Sequence, residues 1–272
     1  MMLTKFPFPW INPPKNSFIS AKRWILTMVG ATLVVASLAP VGVMAEPRQL
    51  KGSPEEKPMI FSNPAIDPTK PAAGGVRWYW PTHARNFERR KAGNIDLCFL
   101  GDSITQGWPP EMFEQYYGRL KAVNFGCGGD KIQNLLMRLE GDDGELKGTS
   151  PKVIVLLIGI NNMGDNTADE IAYGVNNMVK RLGQECPKSK VLLLAILPTK
   201  GTDNDKIKAT NKLTAKLDNG KNIRFLDMAP KFLGKDGKAV DSLFGDNVHL
   251  SRKGYEVWYD TMNPLLKQMM RD

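Results

Sequence analysis

Short apolar runs alternate along most of the chain with longer segments whose apolar residues recur every three or four positions. The runs Ile95–Leu100, Ala122–Phe125, Val153–Ile158, Val191–Leu197 and Ile223–Leu226 predict five strands. Several are apolar without alternation, the pattern of strands buried on both faces. The 3.6-residue spacing predicts helices over Pro110–Arg119, Lys131–Leu139, Thr167–Leu182, Asp205–Leu217 and Arg252–Met270. Thr167 with Glu170 makes a capping box, and Ser251 is placed to cap the last helix. Met262, Leu265, Leu266, Met269 and Met270 then form an apolar stripe suited to packing. Arg77 to Arg90 predicts one more helix, with Trp78, Trp80 and Phe87 available to cover a sheet. This alternation argues for a three-layer α/β/α domain with a flavodoxin-like, five-stranded parallel sheet and helices on both faces. It requires no internal repeat and no second domain.

The pattern changes ahead of residue 76. Residues 1–45 carry Lys5, Lys15, Lys22 and Arg23 but no acidic residue, and Trp24 to Met44 is uncharged. A basic stretch, an apolar core from Ile25 to Leu38 and small residues ending at Ala45 match a secretory signal. Cleavage after Ala45 would leave 227 residues, take the formal charge from +9 to +5 and send the chain to the periplasm or medium. The alternative is an uncleaved N-terminal anchor, since the uncharged stretch is just long enough to span a bilayer. Membrane contact is expected only in that case. The stretch before Lys22 is long for a signal's basic region, as a start codon assigned too early would make it. Residues 46–75, rich in Pro, Gly, Ser and Lys, read as a linker or an irregular lead-in, which leaves 76–272 as the folded domain.

Charge and cysteines exclude more than they assign. No Lys/Arg cluster is interleaved with aromatics and no zinc-finger or helix-turn-helix pattern occurs, which argues against a nucleic-acid partner. Cys98, Cys127 and Cys186 have no metal-like spacing, and they allow one disulfide without selecting it. Cys98, inside a strand, reads as a small buried hydrophobe. Trp78, Tyr79 and Trp80 read as packing residues rather than a sugar-stacking platform.

Candidate chemistry gathers where strands end. The first strand runs into Gly101-Asp102-Ser103-Ile104-Thr105, a turn that can present a serine at the edge where parallel sheets bind ligands. Such a serine is a nucleophile only with a base, an orienting group and an oxyanion hole. Of the two histidines, His83 precedes the first strand and reads as structural. His249, in Asp246-Asn247-Val248-His249-Leu250, lies between the last strand and the last helix. Asp246 can fold back onto one ring nitrogen and leave the other free as a base. The second strand ends in Asn124-Phe125-Gly126-Cys127-Gly128-Gly129-Asp130, where glycines allow close backbone approach, and the third in Gly159-Ile160-Asn161-Asn162. Two ligands make no metal site, and neither a phosphate-binding loop nor dinucleotide glycines are present.

In these four blocks, in this order, the chain resembles the SGNH/GDSL hydrolase superfamily, and within it the branch similar to platelet-activating-factor acetylhydrolase catalytic subunits. The resemblance covers roughly Trp78 to the C-terminus. It implies Ser103 as nucleophile, His249 as general base and Asp246 as its orienter. It implies an oxyanion hole of the Ser103 N–H, the Gly129 N–H and the Asn161 side chain. Asn161-Asn162 stands where many members have Asn-Asp, and the acetylhydrolase-like branch also carries Asn-Asn. Cys127 occupies an often aliphatic position, with no second histidine in a matching block to activate it. The Gly-x-Ser-x-Gly elbow of α/β-hydrolases is absent. The implied function is that of a serine esterase without metal or organic cofactor. Its expected small-molecule substrate carries a short acyl group, an O-acetyl on a carbohydrate, with a lipid or phospholipid ester as the alternative. A non-catalytic glycan-binding or scaffolding module on the same fold is the reading from another class. The acetylhydrolase-like relatives often form homodimers.

Overall fold

The computed structural model describes residues 67–68, 79–201 and 203–271, with Tyr79 and Trp80 described in backbone only. The expected signal or anchor over 1–45 and Trp78 lie outside these residues, as does the expected linker over 46–75 apart from Asp67 and Pro68. Five parallel strands form one sheet: β1 (Leu97–Gly101), β2 (Ala122–Gly126), β3 (Val153–Leu157), β4 (Lys190–Leu194) and β5 (Ile223–Leu226). Their spatial order is β2-β1-β3-β4-β5. Every residue of the central strands β1 and β3 is buried, whereas the edge strand β5 is half-buried throughout. The unbroken apolar runs are therefore the strands covered on both faces.

Around the sheet lie α1 (Tyr79–Lys91), α2 (Ser103–Gln106), α3 (Pro110–Tyr117), α4 (Ile132–Arg138), α5 (Ala168–Glu185), α6 (Asn204–Thr214) and α7 (Arg252–Arg271). Contacts join α4 to α5 and α5 to α6 in one layer, and the right-handed crossover rule for parallel strands puts α3 on the opposite face. The last helix, α7, returns to the α3 side, where Tyr116 stacks on Tyr259 at 3.9 Å and Trp108 meets Trp258 at 5.4 Å. The capping box forms: Thr167 Oγ1 accepts the Glu170 N–H at 3.3 Å and Glu170 Oε2 accepts the Thr167 N–H at 2.9 Å.

Most element ends shift by one to three residues from the pattern, and two differences go further. The apolar run at Val191–Leu197 ends as a strand at Leu194, although Ala195, Ile196 and Leu197 stay buried. The Asn211 side chain takes both backbone groups of Ile196, donating to its carbonyl and accepting its N–H at 2.9 Å each, in place of a neighbouring strand. The second difference is α2, a single turn too short for periodicity to show.

The chain passes from β1 outward to β2 and then back across to β3. This reversal opens a crevice at the carboxyl ends of β1 and β3, the place where doubly wound sheets bind ligands. Gly101 is level with Gly126 of β2 and with Leu157 of β3, so the three following loops emerge side by side.

Candidate active site

Ser103 is the first residue of α2, directly after buried β1. The Asp102 carboxylate accepts the Ile104 N–H at 2.9 Å and caps this turn. Two glycines let α2 lie against the strand ends. A Cβ at Gly101 would stand 2.2 Å from the Leu157 carbonyl oxygen, and one at Gly126 2.3 Å from the Gln106 nitrogen.

His249 reaches the same place from the other end of the chain. Phe244 and Leu250, both buried, pair as an isolated antiparallel bridge, and Gly245 N–H donates to the His249 carbonyl at 2.8 Å. The apolar pair anchors the loop and leaves Asp246 and His249 at its tip. Ser251 caps α7 through the Gly254 N–H at 3.2 Å, as its position predicts. From α7, the Tyr255 hydroxyl donates to the Ile104 carbonyl at 2.8 Å, joining the histidine-bearing segment to the serine-bearing turn.

The three side chains form a continuous chain. His249 Nε2 is 2.8 Å from Ser103 Oγ, and His249 Nδ1 is 2.7 Å from Asp246 Oδ2. An ionised carboxylate only accepts, so the proton sits on Nδ1 and Nε2 is left to take the serine proton. Asp246 Oδ1 also accepts the His249 and Val248 N–H groups, each at 2.7 Å. These backbone donors, with the imidazole behind them, hold its carboxyl far below the ordinary carboxylate range. The dyad is open to solvent, with His249 48% and Asp246 58% exposed, so a bound substrate must help exclude water.

Opposite the serine, Gly129 has φ +77°, a left-handed conformation that favours glycine. Neither its N–H nor that of Ser103 has a hydrogen-bond partner among the described residues. The Asn161 Nδ2 donates one hydrogen to the Asp130 carbonyl at 2.8 Å, which leaves its second hydrogen for a ligand. The neighbouring Asn162 instead braces a helix start, its Oδ1 accepting the first N–H of α4, from Ile132, at 3.0 Å. Ser103, Gln106, Gly128, Gly129, Asn161, Val248 and His249 line one open cleft of about 480 Å³. Such an arrangement can activate a hydroxyl and stabilise negative charge beside it.

Other expectations sort by burial. Cys127 is buried, and burial pushes its thiol up to about 12, which suits packing rather than attack. All three cysteines are free. His83 contacts buried Glu145 at 2.9 Å, away from the cleft lining, in keeping with a structural histidine. Among the described residues no group of three His, Cys, Asp or Glu could hold a metal, and no helix is long and apolar enough to cross a membrane.

Sequence reasoning misses the layer under the cleft. Gln106 Oε1 accepts the Gly128 N–H at 2.9 Å and shapes the glycine turn. Beneath it lie Asp130, Arg138 and Glu145, all fully buried and ion-paired. Burial raises Asp102 to about 7 and Asp130 to about 6, the latter against the pull of the Arg138 charge. Asp130 and Glu145 lie eight and seven residues from Arg138, spacings that carry no pairing signal.

Residues 99–257 match the GDSL-like lipase/acylhydrolase family. The chain is 33% identical over 215 residues to platelet-activating factor acetylhydrolase IB subunit alpha1 of Bos taurus, covering 76% of this chain and 91% of that one. It is 32% identical over 218 residues to the alpha2 subunit of Rattus norvegicus, covering 78% and 93%. Among solved structures, a Streptococcus pneumonia chain superposes with a TM-score of 0.62 at 23% identity, over 69% of this chain and 92% of that one. A carbohydrate esterase family 3 structure from Talaromyces cellulolyticus gives 0.51 at 21% identity, over 66% and 99%. At those identities the structural agreement is one of fold.

Proposed function

The chain belongs to the GDSL-like lipase/acylhydrolase family, a serine hydrolase acting on esters, and from that premise we propose that it removes short acyl groups, acetyl above all, from phospholipid-type alcohols. The observation that carries the catalytic part is the hydrogen-bonded chain Ser103–His249–Asp246 at 2.8 and 2.7 Å beside unpaired N–H groups.

In the proposed reaction His249 Nε2 takes the Ser103 proton as Oγ attacks the acyl carbonyl carbon. Charge collects on the carbonyl oxygen, where the Ser103 and Gly129 N–H groups and the free Asn161 hydrogen meet it. Asp246 remains ionised and stabilises the imidazolium that forms. His249 returns the proton to the departing alcohol, and a water molecule then enters by the same route and releases the acid.

Two observations support the substrate. The relatives at 32–33% identity are named as acetylhydrolases of platelet-activating factor, which favours an acetylated phospholipid over the acetylated sugar also considered. Val248 is the one aliphatic side chain lining the cleft among the described residues. Each buried methylene is worth about 0.8 kcal/mol, so a long acyl chain gains little there. A substrate panel tests both points: aryl esters of rising chain length, an acetylated alkyl phospholipid and an acetylated oligosaccharide. The expected ranking has acetyl first among the aryl esters and the phospholipid above the sugar. An acyl optimum at about eight carbons or more, or a clear preference for the sugar, overturns the substrate assignment.

A further inference from the structure

The ion-paired arginine under the cleft has a reach that its packing role does not require. Arg138, Asp130 and Glu145 are each 0% exposed. Arg138 Nε donates to Asp130 Oδ2 at 2.8 Å, and Nη1 donates to Glu145 Oε2. The same guanidinium touches the ends of two strands: Nη1 donates to the Phe125 carbonyl at 3.0 Å, and Nη2 lies 3.4 Å from the Gly101 carbonyl. Phe125 leads into the glycine turn, and Gly101 is two residues before the serine. The Gly101 carbonyl also accepts the Cys127 N–H at 3.0 Å, so the root of the turn is fixed to β1.

The far end of the turn is held as well. Asp130 closes it with its own N–H on the Cys127 carbonyl at 3.2 Å, and its carbonyl accepts the Asn161 amide at 2.8 Å. Gly129 stands between these two clamps. Two oxyanion donors from different βα loops thus hang on one residue, Asp130, and that residue hangs on Arg138. A lysine could match the charge but not the fork, because one ammonium cannot hold a carboxylate on one side and two strand-end carbonyls on the other. On the outer side, Glu145 is itself held by Asn86 Nδ2 at 3.1 Å and His83 Nδ1 at 2.9 Å, both on α1.

We infer that Arg138 is a positioning residue for acyl transfer: it sets where the Gly129 N–H and the Asn161 amide stand relative to Ser103. This rests on the esterase reading of the cleft. Because Arg138 touches no substrate, its loss acts on the transition state through the donors and not on ground-state binding.

The test compares the native chain with Arg138→Lys, which keeps the buried charge, and with Asp130→Asn, which keeps the shape of the turn. Val179→Ala, in the core of α5, serves as a stability-matched control. For Arg138→Lys, kcat on an aryl acetate falls by about thirtyfold or more while KM stays within about threefold. Affinity for a trifluoromethyl ketone, whose tetrahedral adduct fills the oxyanion hole, falls in step with kcat/KM. Asp130→Asn shows the same coupled loss to a smaller degree, about three- to tenfold, and reports in its place if the lysine variant does not fold. Val179→Ala, equally lowered in melting temperature, keeps its kcat. The inference is overturned if a folded Arg138→Lys or Asp130→Asn keeps native kcat, or loses kcat while binding the ketone normally. A native chain that turns over no ester at all would instead remove the esterase reading on which the inference stands.

Discussion

At the scale of single residues, the proposed catalysis is divided between an exposed pair and a sheltered set of donors. Asp246 and His249 sit at the tip of a loop, where their geometry comes from backbone N–H groups and not from burial. The Asn161 amide is the donor whose removal is cleanest, because it can go without altering the backbone. Asn161→Ala is expected to lower kcat by about 100- to 1000-fold with little change in KM, as for loss of one oxyanion-hole donor. Steady-state kinetics on an aryl acetate read this, and a rise in KM at constant kcat would assign Asn161 to substrate binding instead. The motif blocks made Ser103, Asn161, Asp246 and His249 legible as candidates because each block ends a strand or precedes a helix, whereas Gly129 was singled out by the family resemblance. Gln106, Arg138 and Tyr255 were not legible. They act through contacts across 22, 13 and 151 residues of chain, and side chains of their type are common on any helix.

At the scale of elements, the serine depends on a single helical turn lying against the ends of two strands. Gly101 and Gly126 are level in the sheet and both are hemmed in by α2 and its surroundings. A methyl group at Gly126 would press on the Gln106 backbone at 2.3 Å, and a backbone cannot rotate aside as a side chain can. Gly126→Ala is therefore expected to cost about 1–3 kcal/mol of stability, as overpacking does, and to slow turnover by shifting Ser103. Urea unfolding checks the first part and kinetics the second, and unchanged values for both would mean that α2 is not held against β2. Strand and helix order was legible because central strands are apolar on both faces and the helices carry their own caps. Strand ends were less legible. The run after Leu194 continues apolar, and only the Asn211 side chain, reaching back from α6, shows why pairing stops there.

At the scale of the whole molecule, burial of carboxyls under the cleft couples stability to pH. Asp102 is raised from 3.8 to about 7 by desolvation, with the nearby Asp130 adding to the effect. The folded state thus holds a proton that the unfolded chain has lost between about pH 4 and pH 7. Stability from this group is complete below about pH 4 and declines as pH rises towards 7, by at most about 1.4 kcal/mol per unit. Asp102→Asn keeps an oxygen for the Ile104 N–H and removes the titration, so its melting temperature relative to native should climb across that window. A difference that stays flat from pH 4 to pH 8 would mean that Asp102 ionises normally in the fold. Every catalytic role assigned to the cleft depends on Ser103, activated by His249, being the nucleophile, and a fluorophosphonate puts that to the proof. Intact-mass and peptide analysis of the treated protein should show one adduct, on Ser103, absent in Ser103→Ala and much slower to form in His249→Ala. Stoichiometric labelling at another residue, or a folded native protein that remains unlabelled, would show that Ser103 is not the nucleophile.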